Sequence, residues 1–305
     1  MIDPGQFANC LVLTGPTGSG KSALALELAP KLNAEIVSMD SMSLYRGFDI
    51  GTAKPTDAEQ SQVPHHLIDV LDSWESASVA WWLEMAAAAV REIEGRGRVA
   101  LFVGGTPLYL KALLRGIFAG PGADEALREQ LEAEAKERGT AALHDRLVRL
   151  DPEAGDRIHP NDLRRIVRAL EVRETTGTAI SDMQQQWNSD AGPRPNVVCL
   201  EVPRDELYDR INRRVLAMLE QGWLDESKRL RSASHPPSRV AAAAVGYRDL
   251  WAFLDGQADW ETTVSRLQQR TRQYAKRQLT WFRHLPECQF ASSELTRQHW
   301  EKRMV

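Results

Sequence analysis

Residues 15–22, GPTGSGKS, contain the chemistry most easily read from this chain. Glycines at 15, 18 and 20 let the backbone curl so that successive N–H groups converge. Lys21 adds a point charge, and a helix beginning near Ser22 adds its positive dipole end. An apolar run before the loop (CLVLT) and a helical pattern after it complete the strand–loop–helix context that this motif requires. The eight residues Gly15, Pro16, Thr17, Gly18, Ser19, Gly20, Lys21 and Ser22 therefore form an expected polyphosphate cradle. The motif alone does not say whose phosphates it holds.

Two more constellations belong at the same edge. A second apolar run, EIVSM, ends in Asp40-Ser41, and ligands of open α/β sheets sit outside the carboxyl ends of the strands. Asp40 is read as a turn-forming aspartate, a magnesium ligand or a catalytic carboxylate. A later run, VALFV, passes into Gly104-Gly105-Thr106-Pro107. Thr106 suits a helix N-cap and Pro107 a first helical residue, and the same geometry sets a hydroxyl where an anionic leaving oxygen could be bound. An acidic residue after that strand, usual in an NTPase, is missing, although Asp69 and Asp72 are available nearby.

The positioning elements follow from periodicity. Short apolar runs at 10–14, 35–39, 66–70, 99–103 and 197–202, mostly separated by helical stretches, predict an α/β protein with a mostly parallel sheet. Punctuation at GPG (120–122) and GPRP (192–195) brackets a helical block without a convincing strand. The expected organisation is a phosphate-loop core over 1–120, a helical insertion over 121–192, and a continuation of the core with basic helices over 193–305.

Basic residues are unevenly spread. The segment HPNDLRRIVRALEVRETTG reads as a helix capped by Asn161 or Asp162 and ended by Gly177, with Arg164, Arg165 and Arg168 clustered on one side. Arg210 and Arg214 lie one turn apart, which suits either a diphosphate or salt bridges to Asp205, Glu206 and Asp209. Residues 262–286 contain no acid but include Arg266, Arg270, Arg272, Lys276, Arg277 and Arg283, a pattern that fits a phosphate-backbone track. The whole chain has a formal net charge of −4 over 305 residues, so the distribution rather than the sum points to nucleic acid.

Composition bounds the rest. With 43% hydrophobic and 26% charged residues the chain has enough apolar material for a core. No apolar run approaches the roughly 20 residues of a membrane span. The opening MIDPGQFAN has neither the basic nor the apolar stretch of a secretory signal. The three cysteines, Cys10, Cys199 and Cys288, have no metal-ligand spacing, so reduced thiols in a cytoplasmic protein are expected.

Taken together, GPTGSGKS, DSMSLYRGFDIGTAKP, PHHLID, GGTPLYLKAL, HPNDLRRIVRALEV, VGYR and RQYAKRQLTWFR make the chain resemble the tRNA dimethylallyltransferases along nearly its whole length. The resemblance implies a P-loop NTPase-like core with a helical insertion. It implies transfer of a dimethylallyl group from dimethylallyl diphosphate to N6 of the adenine 3′ to the anticodon, with Mg²⁺. By the same resemblance Asp40 is the base, Thr106 lies near the bridging diphosphate oxygen, and Lys21, Ser22 and Arg214 hold the diphosphate, Ser22 also facing the metal. Asp40, Ser41, Met42, Ser43, Thr106, Arg128 and the stretch Arg164, Arg165, Ile166, Val167 and Arg168 meet the tRNA. A monomer is expected. The chain departs from many members at Ser43, where Gln is common, and at Ala243, where Gln or Arg is common. The competing readings are a small-molecule phosphotransferase or NTPase, a prenyltransferase acting on free adenine nucleotide, and a non-catalytic RNA-binding protein.

Overall fold

Three apolar residues and a threonine, Leu11–Thr14, make strand β1, and every one of them is buried. Such a run has no solvent face, which suits a central strand covered on both sides. In a computed structural model, which describes residues 2–118, 120–184 and 194–302, β1 pairs in parallel with β4 (Val99–Gly104) and β5 (Asn196–Leu200). Strands β2 (Ala34–Ser38), β3 (His65–His66) and β6 (Gln289–Ala291) complete a six-stranded parallel sheet of order β3-β2-β4-β1-β5-β6. This is the α/β fold expected from the sequence. Its parallel strands place the ends of β1, β2 and β4 at one edge, with β1 at the point where the order turns.

Helix α1 (Lys21–Lys31) covers one face of the sheet, where Leu24, Leu28 and Ala29 pack with Leu13, Ile36 and Leu101. On α3 (Val79–Gly95), Trp82 lies 6.2 Å from Phe102, stacks on Tyr109 at 4.2 Å and donates from Nε1 to the Ser38 carbonyl. Glu35 on β2 is buried beneath the guanidinium of Arg96, which forks onto both carboxylate oxygens at 3.1 and 2.7 Å. Arg98 and His66 also reach it. All three cysteines are buried, and burial raises each thiol pKa, to about 12 for Cys10 and Cys288.

Two departures from the expected strands have local causes. The run at 66–70 stops after two residues because Leu67 (φ 61°) and Asp69 (φ 54°) adopt left-handed backbone that ends the ladder. Strand β6 gave no signal, since three residues beginning with an exposed Gln show no alternation.

The chain forms two compact units, Ile2–Leu114 with Gly192–Val305, and Arg115–Ala191. The second is helical, with α5 (Glu125–Arg138), α6 (Thr140–Leu150), α7 (Pro152–Arg157), α8 (Leu163–Thr176) and α9 (Ile180–Met183) around Leu131, Leu143, Leu147 and Leu170. Asp162 caps α8 through the Arg165 N–H, and Gly177 ends it at φ 73°. The first unit also contains α2 (Asp57–Gln62), which buries no residue, and α4 (Pro107–Arg115), whose Tyr109 stacks on Trp82 of α3. Helices α10 (Arg204–Glu220), α11 (Trp223–Arg231), α12 (Tyr247–Leu254), α13 (Trp260–Arg283) and α14 (Ser293–Glu301) follow β5. No helix among the described residues is long and apolar enough to cross a membrane.

Candidate active site

The loop after β1 has the backbone its glycines permit: Gly18 and Gly20 hold φ values of 82° and 88°, and Gly20 precedes α1 without a side-chain cap. An uncapped helix start leaves N–H groups for an anion. Lys21 is anchored on the Pro16 carbonyl at 3.4 Å, and Ser22 is exposed on the first turn of α1. The Ser19 hydroxyl is buried with no hydrogen-bond partner.

Positive charge converges here. Arg214 donates to the Thr17 hydroxyl at 3.4 Å, and Arg210 reaches the Ser19 carbonyl at 3.5 Å while pairing with Glu206. Burial and, next, Arg214 pull the Lys21 pKa down to about 8, with Asp40 acting in the opposite sense. Burial also lowers the pKa of Arg214, again opposed by Asp40. Burial above all, with the negative charge of Asp40 adding to it, raises the phenol pKa values of Tyr109 and Tyr274. Asp40 thus lies within electrostatic reach of Lys21, Arg214 and two tyrosines.

Strands β2 and β4 are fastened where they leave the sheet. Met39 accepts from the Thr106 N–H at 3.2 Å, and Thr106 Oγ1 accepts from the Ser41 N–H at 3.0 Å. Asp40 Oδ1 accepts from the Met42 N–H at 2.9 Å. Contact at Gly104 is so close that a Cβ there would stand 2.2 Å from the Met39 carbonyl. Ser43 is buried, and its carbonyl accepts from the Asp69 N–H. Asp69 and Tyr45 in turn receive bonds from the buried Lys54. Asp69 therefore holds a lysine and Asp72 holds Arg46.

Gln278, inside the stretch RQYAKRQLTWFR, received no role from the sequence. On α13 it is 2% exposed, accepts from the Thr17 N–H at 2.8 Å and donates to the Gly105 carbonyl at 2.6 Å. The signal that could have found it is a polar residue on the buried stripe of Leu267, Ala275 and Phe282. The other face of α13 exposes Arg266, Arg270, Lys276, Arg277 and Arg283, and Arg270 pairs with Asp249.

In the helical unit Glu171 is fully buried and gathers Arg128 Nε at 2.9 Å, Arg168 Nη1 at 2.6 Å and the Asp124 N–H at 2.7 Å. Arg128 also pairs with Glu125, and Arg168 donates to the Pro121 carbonyl. Arg164 and Arg165 are exposed, the latter 3.4 Å from Asp162. Ile166 and Val167 point their side chains into the core of the unit, so only their backbone could face an outside partner.

A glycine-rich loop after the central strand of a parallel sheet, opposite an aspartate and a threonine on adjoining strand ends, makes this a P-loop-like α/β protein. The IPP transferase family profile matches residues 43–285. The chain is 43% identical to a tRNA dimethylallyltransferase of Geobacter sulfurreducens over 283 residues, covering 92% of this chain and 91% of the relative. It is 48% identical to one of Alkalilimnicola ehrlichii over 275 residues, covering 90% and 87%. Among solved structures, a tRNA isopentenylpyrophosphate transferase of Bacillus halodurans matches with a TM-score of 0.70 at 40% identity, covering 97% of this chain and 95% of the other. A eukaryotic dimethylallyltransferase acting on tRNA matches with a TM-score of 0.75 at 28% identity, covering 96% and 76%. The chain belongs to the IPP transferase family.

Proposed function

We propose that the protein transfers a dimethylallyl group from dimethylallyl diphosphate to N6 of the adenine 3′-adjacent to the anticodon of tRNA, releasing diphosphate. The observation that carries this reading is the meeting of a cationic phosphate cradle with the Asp40 carboxylate and Thr106 at one edge of the sheet. In the reaction the allylic C–O bond breaks as the new C–N bond forms, the electron pair leaves with the diphosphate, and N6 loses one proton. The loop N–H groups, Lys21 and Arg214 stabilise the charge growing on the diphosphate, and each well-aimed donor of this kind is commonly worth about 10²–10³ in rate. Asp40, held by the Met42 N–H, accepts the N6 proton. Thr106 lies beside it at the end of β4, where the bridging oxygen departs. An adenine stacked in a loop must first leave the stack to reach these groups.

The donor set suits a magnesium ion. The exposed Ser22 hydroxyl lies on the first turn of α1, a protein oxygen of the kind a magnesium ion takes alongside substrate phosphates. When bound it supplies charge neutralisation at the diphosphate. The exposed basic residues of α13, together with Arg164 and Arg165 on the insertion, supply the tRNA backbone contacts. We place the protein in the cytoplasm and read it as a monomer.

The test is a transfer assay with labelled dimethylallyl diphosphate and tRNA. Incorporation into tRNA and none into AMP is expected, and rapid ATP hydrolysis without incorporation would overturn the reading. Asp40→Ala should abolish transfer while filter binding of tRNA stays near the parent value; a fully active variant rejects the role given to Asp40.

A further inference from the structure

We infer that Gln278 is a positioning residue that sets the register between the phosphate cradle and the strand end carrying Thr106. The inference rests on the function proposed above. Its amide joins the two loops beyond the strand ends, where the β1–β4 ladder and the Thr14 hydroxyl bond to the Gly104 carbonyl stop: Oε1 takes the Thr17 N–H of the cradle, and Nε2 gives a proton to the Gly105 carbonyl. Only one orientation of the amide satisfies both, because the Thr17 N–H must meet an oxygen and the Gly105 carbonyl must meet an N–H.

The surroundings make this link stiff. Gln278 is 2% exposed, and its helix is pinned to α10 through Ala275, Leu207 and Ile211. Gly105 has no side chain because Gln278 fills that space: a Cβ there would lie 2.4 Å from Nε2, 3.2 Å from the Gly15 carbonyl and 3.5 Å from Lys21 Nζ. The amide therefore stands beside both the cradle lysine and the β4 loop. Neither bond is needed to close a helix or a strand. Both run between loops that must hold the two halves of one reaction, the leaving diphosphate and the groups around the nucleophile.

The expected consequence is a loss of alignment without a loss of donor binding. The cradle keeps Lys21, Arg214 and its remaining N–H groups when Gln278 is changed, while the loop carrying Thr106 stays tied to it only through the β1–β4 ladder and the Thr14–Gly104 bond behind both loops. A misplacement on the order of 1 Å commonly costs about 10²-fold. The near-isosteric Gln278→Met fills the same volume without either bond. In steady-state transfer assays with dimethylallyl diphosphate and tRNA we expect kcat to fall by about 10- to 100-fold, with KM for the donor changed by less than about threefold. Gly105→Ala, which pushes the amide aside, should give a kcat loss of the same order. Gln278→Ala combined with Gly105→Ala should be no worse than either alone, since both break one link.

A melting temperature that falls while kcat and KM stay at parent values would show a purely structural residue and overturn the inference. A raised donor KM at unchanged kcat would overturn it in favour of direct donor binding. If Gln278→Met fails to fold, Gly105→Ala decides alone: an unchanged kcat there rejects the link. Failure of the proposed function is a separate result, visible as absence of prenylated tRNA with the unaltered protein.

Discussion

Lys21 should be a costly residue for the free protein. Burial and Arg214 take its pKa from 10.5 to about 8, and Asp40 only partly offsets them. Because the value in the fold lies below that of the unfolded chain, folding disfavours the protonated amine. That cost is fully present below pH 8 and vanishes as the pH rises towards 10.5. A depression of this size corresponds to about 3 kcal/mol, an upper bound because the residue is only partly buried. Lys21→Met, which keeps the aliphatic stem, should therefore stabilise the ligand-free protein at pH 7 by about 1–3 kcal/mol while removing donor binding. Thermal melts of both proteins with and without pyrophosphate test this. The unaltered protein should melt lower in buffer and gain stability with ligand. The variant should melt several degrees higher and gain nothing. Its advantage should shrink between pH 8 and 10.5, and over the same range kcat/KM for the donor in the unaltered protein should fall by about tenfold per pH unit. A variant that melts at or below its parent at pH 7 would refute the argument.

Two further changes probe the frame around the site. Gly104→Ala puts a Cβ 2.2 Å from the backbone of Met39, an overlap that no rotamer relieves, so β4 must part from β2 at Asp40 and Thr106. Transfer should drop about 100-fold with the circular dichroism spectrum unchanged; full activity would contradict the close approach. Glu35, held near a pKa of 2 first by its bonds to Arg96 and also by His66, contributes stability above the ordinary 4.5 that is lost as the pH falls towards 2. Glu35→Gln should therefore lower stability at pH 7 by about 1–3 kcal/mol, and urea titrations should show the gap closing between pH 4.5 and 2; a gap constant with pH would disprove the ionic origin.

The phosphate loop was legible because its glycines, lysine and serine sit at fixed spacing between two elements of opposite periodicity, a local pattern. Asp40 and Thr106 were legible as strand-end residues once the sheet was taken as parallel. The cap at Asp162 and the stop at Gly177 were visible for the same local reason. Gln278 was not, since its partners lie 261 and 173 residues away and an amide among arginines gives no signal without knowledge of which helix face is covered. The resemblance that drew Ile166 and Val167 into a binding stretch gave no hint that their side chains line a core, although their apolar character did. The truncation of β3 depends on left-handed backbone at Asp69, whose type adopts it more readily than most, and at Leu67, whose type seldom does.

The three sealed sulfhydryls have a practical use. With Cys10, Cys199 and Cys288 shut inside and their ionisation suppressed, the native chain presents almost no reactive sulfur at neutral pH. A maleimide fluorophore would attach almost solely to an engineered surface cysteine. Labelling one on each compact unit would report their separation as RNA arrives, with the natural thiols left in place.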